Sequence, residues 1–171
     1  MPSWLLKSTG IELRSSDPKF LTPVDRWLKV LLTLVKPYLY ENGGPIIMLQ
    51  VENEYGVWKS CDVPYKNHLR DTFKSVVGNN TILFTTDGAG DGYLSSGSIQ
   101  NVFITVDSGG EKEPKKMLEI LRRHQANGPF VNSEYYVGWF DYWENPHNII
   151  PIKPGDKTLE LMLELNASVV M

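Results

Sequence analysis

The sequence predicts an α/β protein built on a parallel sheet, and three observations carry that prediction. Short continuous apolar runs alternate with segments of helical periodicity along the chain, the pattern of strands covered on both faces. Four of those segments close on an acidic residue, namely Glu54, Asp87, Asp107 and Glu134. In a parallel arrangement such ends lie on one side, which gathers the carboxylates at one mouth. The most informative stretch, Gly43 to Tyr55, passes from a glycine turn through an apolar run into Glu52-Asn53-Glu54. Ionised carboxylates at the tip of a hydrophobic run are paired or used.

Taken in order, apolar residues at Val24, Trp27, Leu28, Leu31, Val35 and Tyr38 recur at helical spacing. Pro37 should kink or end that helix, and Asn42-Gly43-Gly44 turns the chain. Residues 46–51 predict the first strand and 65–77 a helix stopped by Gly78. Residues 82–86 and 102–106 predict two further strands, ending in Asp87-Gly88 and Asp107. Residues 113–125 predict a helix with Met117, Ile120 and Leu121 inside. Residues 129–133 predict a fourth strand before Glu134, 158–165 a helix, and 167–171 the start of another strand. A complete eight-stranded (β/α) barrel takes ~250 residues. The chain of 171 residues therefore reads as a piece of such a barrel, incomplete at both ends. Exposed strand edges in such a piece predict that it is poorly soluble or partly molten by itself.

Composition narrows the function classes. A net charge of −3 argues against a nucleic-acid binder. The basic clusters Lys112/Lys115/Lys116 and Arg122/Arg123 are interleaved with Glu111, Glu113 and Glu119, as on a solvated helix face. The longest apolar candidate for a membrane span, Val30 to Val35, falls far below the ~20 residues required. The N-terminus as written lacks the apolar core and small-residue cleavage site of a signal peptide. Cys61 is the single cysteine, which excludes an intrachain disulfide or a cysteine metal cluster. His68, His124 and His147 have no ligand spacing, so structural or surface roles are expected and no metal. Asn79-Asn80-Thr81 and Asn166-Ala167-Ser168 fit the glycosylation acceptor pattern, a weak pointer to a secretory setting.

Two acidic residues on neighbouring strand ends suit glycosidic bond cleavage. One protonates the departing oxygen, and the other stabilises or attacks the oxocarbenium-like carbon. At ~5 Å separation the second becomes a nucleophile and configuration is retained. Proximity of like charges also raises one pKa, which keeps an acid protonated. Against this stands a plainer reading of Asp87 and Asp107 as helix caps or hydrogen-bond anchors, and of Glu52 as a supporting or solvated residue. Trp4, Trp27, Trp58 and Trp143 are expected to pack rather than to carry sugar. A phosphate-binding module is disfavoured, because such sites use glycine-rich loops and basic groups.

The segment Gly43 to Tyr55 resembles the signature of the family 35 glycoside hydrolases: Gly-Gly-Pro, two aliphatics, a later Gln, then Glu-Asn-Glu and an aromatic. Leu83 to Gly88, Thr105-Val106-Asp107 and Asn132 to Trp139 look like further segments of the same catalytic barrel, in the same order. Pro2 to Leu6 and Leu13 to Pro18 look like the loop after its third strand. The resemblance implies a retaining β-galactosidase that acts on terminal β-linked galactose of glycans or glycolipids, without a metal or other cofactor. It makes residues 1–171 part of one catalytic (β/α)8 domain, roughly strands four to seven plus the start of strand eight. By position it makes Glu54 the acid/base, Glu134 the nucleophile, and Asn53 a hydrogen-bond partner of the sugar, at its 2-hydroxyl. Tyr136 and Trp139 fall where the family places aromatics around the galactose. The parent protein would be lysosomal or secreted. The alternative is a truncated, non-catalytic chain that binds sugar or pairs with another barrel fragment.

Overall fold

The computed structural model describes residues 2–58, 61–109, 113–149 and 152–170. Its strands are β1 (Met48–Asn53), β2 (Ile82–Gly88), β3 (Phe103–Gly109), β4 (Phe130–Tyr136) and β5 (Ala167–Val169). The helices are α1 (Pro18–Val35), α2 (Val63–Val77), α3 (Asp91–Gly97), α4 (Pro114–His124) and α5 (Ile152–Glu164). The strands hydrogen-bond in the order β1-β2-β3-β4-β5, with β3 parallel to β4 and β4 parallel to β5. A helix occupies every crossover between successive strands. Sequence neighbours are sheet neighbours throughout, so the chain winds in one direction. That order fits part of a (β/α)8 wall, whereas a doubly wound sheet reverses its order partway. The expected α/β class and parallel sheet are therefore present.

Several boundaries differ from the sequence expectation. Helix α1 begins at Pro18, well before residue 24, because the Asp17 side chain accepts the Lys19 N–H and caps it. A proline in the first turn gives up a donor that has no intrahelical partner in any case. Its buried residues are Leu28 and Leu32, while Trp27 and Tyr38, expected inside, are 61% and 59% exposed. Trp4, Trp58 and Trp143, also expected to pack, are exposed too.

Strand β1 was expected to be buried, yet it is only half-buried and Ile47 just before it is 64% exposed. It lies first in the strand order, so one of its edges has no neighbouring strand among the described residues. Helix α3 has no counterpart in the sequence reading, since a seven-residue helix with glycines at its second and last positions gives too little periodicity to detect. Helix α5 starts at Ile152 rather than at Thr158. Glu111 and Lys112 of the expected charged cluster, and Met171 of the expected last strand, lie outside the described residues.

The chain packs as two compact units. The first comprises Met1–Glu52, Lys59–Phe84 and Ile99–Phe103. In it α1 packs on α2, and α2 is capped by Asp62, whose side chain accepts the Tyr65 N–H at 2.8 Å. Glu52 accepts from Arg14 Nη2 at 2.8 Å and Nε at 3.1 Å, and from the Tyr65 hydroxyl at 2.8 Å. That planar, two-pronged ion pair makes Glu52 a supporting residue rather than a solvated one. Gly44 brings its backbone against the Tyr38 carbonyl, where a Cβ would lie 2.1 Å from the oxygen. The second glycine of the turn before β1 is thus fixed by sterics.

The second unit comprises Asn53–Trp58, Thr85–Ser98 and Ile104–Met171. Its core gathers Leu94, Ile104, Val106, Met117, Leu121, Phe130, Tyr135, Met162 and Ala167. Ile104 and Val106 face this helix-covered core, so Thr105 and Asp107 face the opposite side of β3. There Thr105 Oγ1 hydrogen-bonds Thr86 Oγ1 at 2.7 Å and Ser133 Oγ at 2.6 Å, and Thr86 and Ser133 are joined as well. Among the described residues no helix is long and apolar enough to cross a membrane.

Candidate active site

All four carboxylates that the sequence set at strand ends belong to the second unit. Glu54 follows the last residue of β1 and adopts φ 48°, ψ 37°, a left-handed conformation that costs a non-glycine residue ~1 kcal/mol or more. The chain leaves the strand direction there and enters a 3-10 turn, Tyr55–Val57. The end of β2 holds this turn in place. Glu54 N donates to Thr86 O at 2.7 Å and Gly56 N donates to Asp87 Oδ1 at 2.6 Å, while Tyr55 is completely buried. Asp87, 1% exposed, is therefore a hydrogen-bond anchor, one of its two expected plain roles. It caps no helix.

Helix α3 closes over the Asp87 carboxylate with Gly97, where a Cβ would stand 2.1 Å from the carboxylate oxygens. Gly97→Ala should therefore displace Asp87 and loosen the Glu54 turn, at a cost of about 1–3 kcal/mol. Thermal unfolding of the parent protein checks this. Gly92→Ala on the same helix, with nothing within 4 Å of the added methyl, should leave the melting temperature unchanged or slightly higher.

Asp107 and Glu134 meet through an irregularity of register. Val106 pairs with Asn132, but the next pair is Asp107 with Glu134, so β4 carries one extra residue, Ser133. Strict alternation along β4 would put Glu134 on the face opposite to Ser133. The extra residue resets the alternation, and Glu134 joins Asp107 on the side of the Thr105 hydroxyl. Asn132, fully buried on the helix side, fixes the kink. Its Nδ2 donates to Ser108 Oγ at 2.9 Å and to Met162 Sδ at 3.5 Å, and its Oδ1 accepts the Glu134 N–H at 3.3 Å. Beyond the irregularity Tyr135 pairs with Ser108 and Tyr136 with Gly109.

The electrostatics show which groups come together. Asp107, 6% exposed, has its pKa pushed up to about 7, first by burial, then by the charges of Glu54, Glu134 and Asp87 and a hydrogen bond with Glu54. Burial first, and then the charge of Glu54, also raises Glu134. The Tyr136 phenol is raised by burial and by Asp107, Glu54 and Glu134. Glu54, Asp107, Glu134 and Tyr136 therefore form one interacting group. A cavity of about 530 Å³ opens beside it, lined among others by Glu54, Asp107, Tyr136, Gly88, Lys116 and Met117. Glu134, Asn53 and Trp139 are not part of that lining. Asn53 is exposed, and its Nδ2 approaches Glu54 Oε2 at 3.5 Å. Trp139 is 47% exposed, tilts on Tyr136 with ring centroids 5.6 Å apart, and stacks on Phe140. Its Nε1 donates to the Tyr142 hydroxyl at 2.9 Å.

Each histidine meets an aspartate, His68 with Asp25, His124 with Asp91, and His147 with Asp141, and among the described residues no cluster of the kind that could hold a metal ion is present. Sequence reasoning underrated Asp107 and passed over Asn132. The available signal was a carboxylate and an amide directly after the apolar starts of two strands.

Comparison with known proteins adds the following. Residues 1–171 match the family described as Glycosyl hydrolases family 35. The chain is 47% identical over 171 residues to a Mus musculus protein named Beta-galactosidase-1-like protein, across 100% of this chain and 26% of that protein. It is 45% identical over 169 residues to Mus musculus Beta-galactosidase, across 99% of this chain and 26% of that protein. To Homo sapiens Beta-galactosidase it is 44% identical over 169 residues, across 99% of this chain and 25% of that protein. The chain thus spans about a quarter of the length of these curated relatives.

Proposed function

The chain belongs to family 35 of the glycosyl hydrolases, and from that premise we propose that it carries the catalytic centre of a retaining β-galactosidase. The parent enzyme releases terminal β-linked galactose from glycans or glycolipids. Residues 1–171 form part of its single (β/α)8 domain, with β1 to β5 as barrel strands four to eight. Glu54 protonates the departing glycosidic oxygen. Glu134 attacks the anomeric carbon, and a covalent galactosyl-enzyme forms as the carbon–oxygen bond to the leaving group breaks. Glu54 then takes a proton from the incoming water, which displaces Glu134.

One observation carries this reading: two carboxylates remote in sequence lie close enough for the charge of Glu54 to raise the pKa of Glu134. Asn53, whose amide approaches Glu54, hydrogen-bonds the 2-hydroxyl of the sugar. The face of Trp139 suits the apolar face of a pyranose. Tyr136 has its phenol among the carboxylates, where it orients Glu134 by donation. A lysosomal or secreted location agrees with the two glycosylation acceptor patterns.

The test is to capture the native protein through peptides of this sequence and incubate it with aryl β-galactosides under proton NMR. Release of β-galactose before its mutarotation is the expected result. First release of the α anomer overturns retention, and absence of galactose release overturns the hydrolase reading. Galactose binding without turnover favours the non-catalytic alternative.

A further inference from the structure

Asp107 has no part in the two-carboxylate scheme, yet it is the most enclosed of the three interacting carboxyl groups Glu54, Asp107 and Glu134. It is 6% exposed, it is the register partner of Glu134 on β3, and it lines the cavity together with Glu54. Its Oδ2 is buried with no hydrogen-bond partner among the described residues. Its carboxyl also lies within hydrogen-bonding reach of the Glu54 carboxyl. Two carboxyl groups in such contact repel each other unless one of them supplies a proton.

We propose that Asp107 is a positioning residue for the reaction, donating a hydrogen bond to the Glu54 carboxylate and fixing its orientation opposite Glu134. This inference rests on the galactosidase reading and deepens it. A carboxyl that must act first as acid and then as base has to keep one rotamer through both steps, and a single short donor on a rigid strand achieves that. Strand β3 is rigid here, since its five central residues, Ile104 to Ser108, are all buried.

The surroundings of Asp107 favour the proton-bearing form. Glu54 faces it from the turn after β1, Asp87 from β2 and Glu134 from β4, and Tyr136 lies among the same charges. The exposed Glu113 and Lys116 also line the cavity, and Lys116 is the one cation among its described lining residues. Because burial and three carboxylates raise Asp107 to about 7, the donor is present below that pH. It is lost as the pH rises through it.

The experiment measures kcat and KM across pH for the full-length parent and for its Asp107→Asn and Asp107→Leu variants. The amide of Asn donates the same hydrogen bond and does not titrate. Asp107→Asn should hold kcat within about tenfold of the parent and lose the alkaline limb near pH 7. Asp107→Leu should lose kcat by about a hundredfold at every pH with KM little changed, because the hydrogen bond serves the reacting carboxyl rather than binding. A Leu variant as active as the parent overturns the proposal. So does an Asn variant as impaired as Leu while its thermal melt matches the parent. If the Leu variant does not fold, Asp107→Asn decides: an alkaline limb unchanged from the parent's overturns the assignment. Glu134→Gln is measured alongside. If that variant keeps its turnover, the galactosidase reading has failed. If it is dead while the Asp107 variants behave as the parent, the positioning role alone has failed.

Discussion

Glu134→Gln in the full-length parent should lower kcat on aryl β-galactosides by about four orders of magnitude or more, the scale seen when a nucleophile is removed from a covalent mechanism. Gln keeps the volume and can hydrogen-bond its neighbours, but it cannot form the galactosyl ester. The backbone of Glu134 is held by Asn132 and its register by Asp107, so the substitution should leave thermal stability nearly unchanged. As the proposed nucleophile, the same residue should set the acidic side of the pH profile. Its pKa is raised by burial and by Glu54, and only the ionised form attacks. Turnover therefore falls as the pH drops through that raised value. A Gln variant with more than a few per cent of parental turnover would remove Glu134 from the mechanism.

The second large effect is expected at Glu54 and depends on the substrate. On the proposed mechanism Glu54→Gln takes away the proton donor for bond cleavage and the base for hydrolysis of the intermediate, so kcat on galactosides with poor leaving groups should fall by about 10²–10⁴-fold. Aryl galactosides with very good leaving groups need no protonation, and their kcat/KM should be nearly spared. Deglycosylation then limits turnover, and added azide should restore it. Azide attacks the anomeric carbon, the bond to Glu134 breaks, and the carboxylate is regenerated with β-galactosyl azide as product. Equal losses on all leaving groups, or no response to azide, would move the acid/base role away from Glu54.

The fold class was legible because it depends on features that are periodic or terminal. Asp62, Pro64 and Gly78 mark α2 at both ends, and the apolar runs of β2 and β3 need little context. Trp27 shows the limit of periodicity, since large apolar residues at helical spacing lie on a broad arc and tertiary packing chose Leu28 and Leu32 from it. Strand β1 shows another limit, because burial depends on neighbours that a local pattern does not contain.

For the candidate site, the sequence could name Glu54 and Glu134 as strand-end carboxylates. It could not show the left-handed turn at Glu54, which arises from β2 gripping the next residues. Nor could it show the weight of Asp107, whose character comes from three other segments rather than from its own.

The extra residue in β4 has one more implication, for how this strand can change over evolutionary time. A point substitution alters what a position offers, but it leaves the parity of the strand intact. The pairs Val106 with Asn132 and Asp107 with Glu134, on either side of Ser133, are the ones a regular strand lacking that residue would also make. Loss of the Ser133 codon would therefore straighten β4 with the carboxylate still on the side of Asp107, while removing the hydroxyl that meets Thr105. The strand can thus absorb that loss of length without turning Glu134 away, and what the extra residue contributes is its hydroxyl and a local bend.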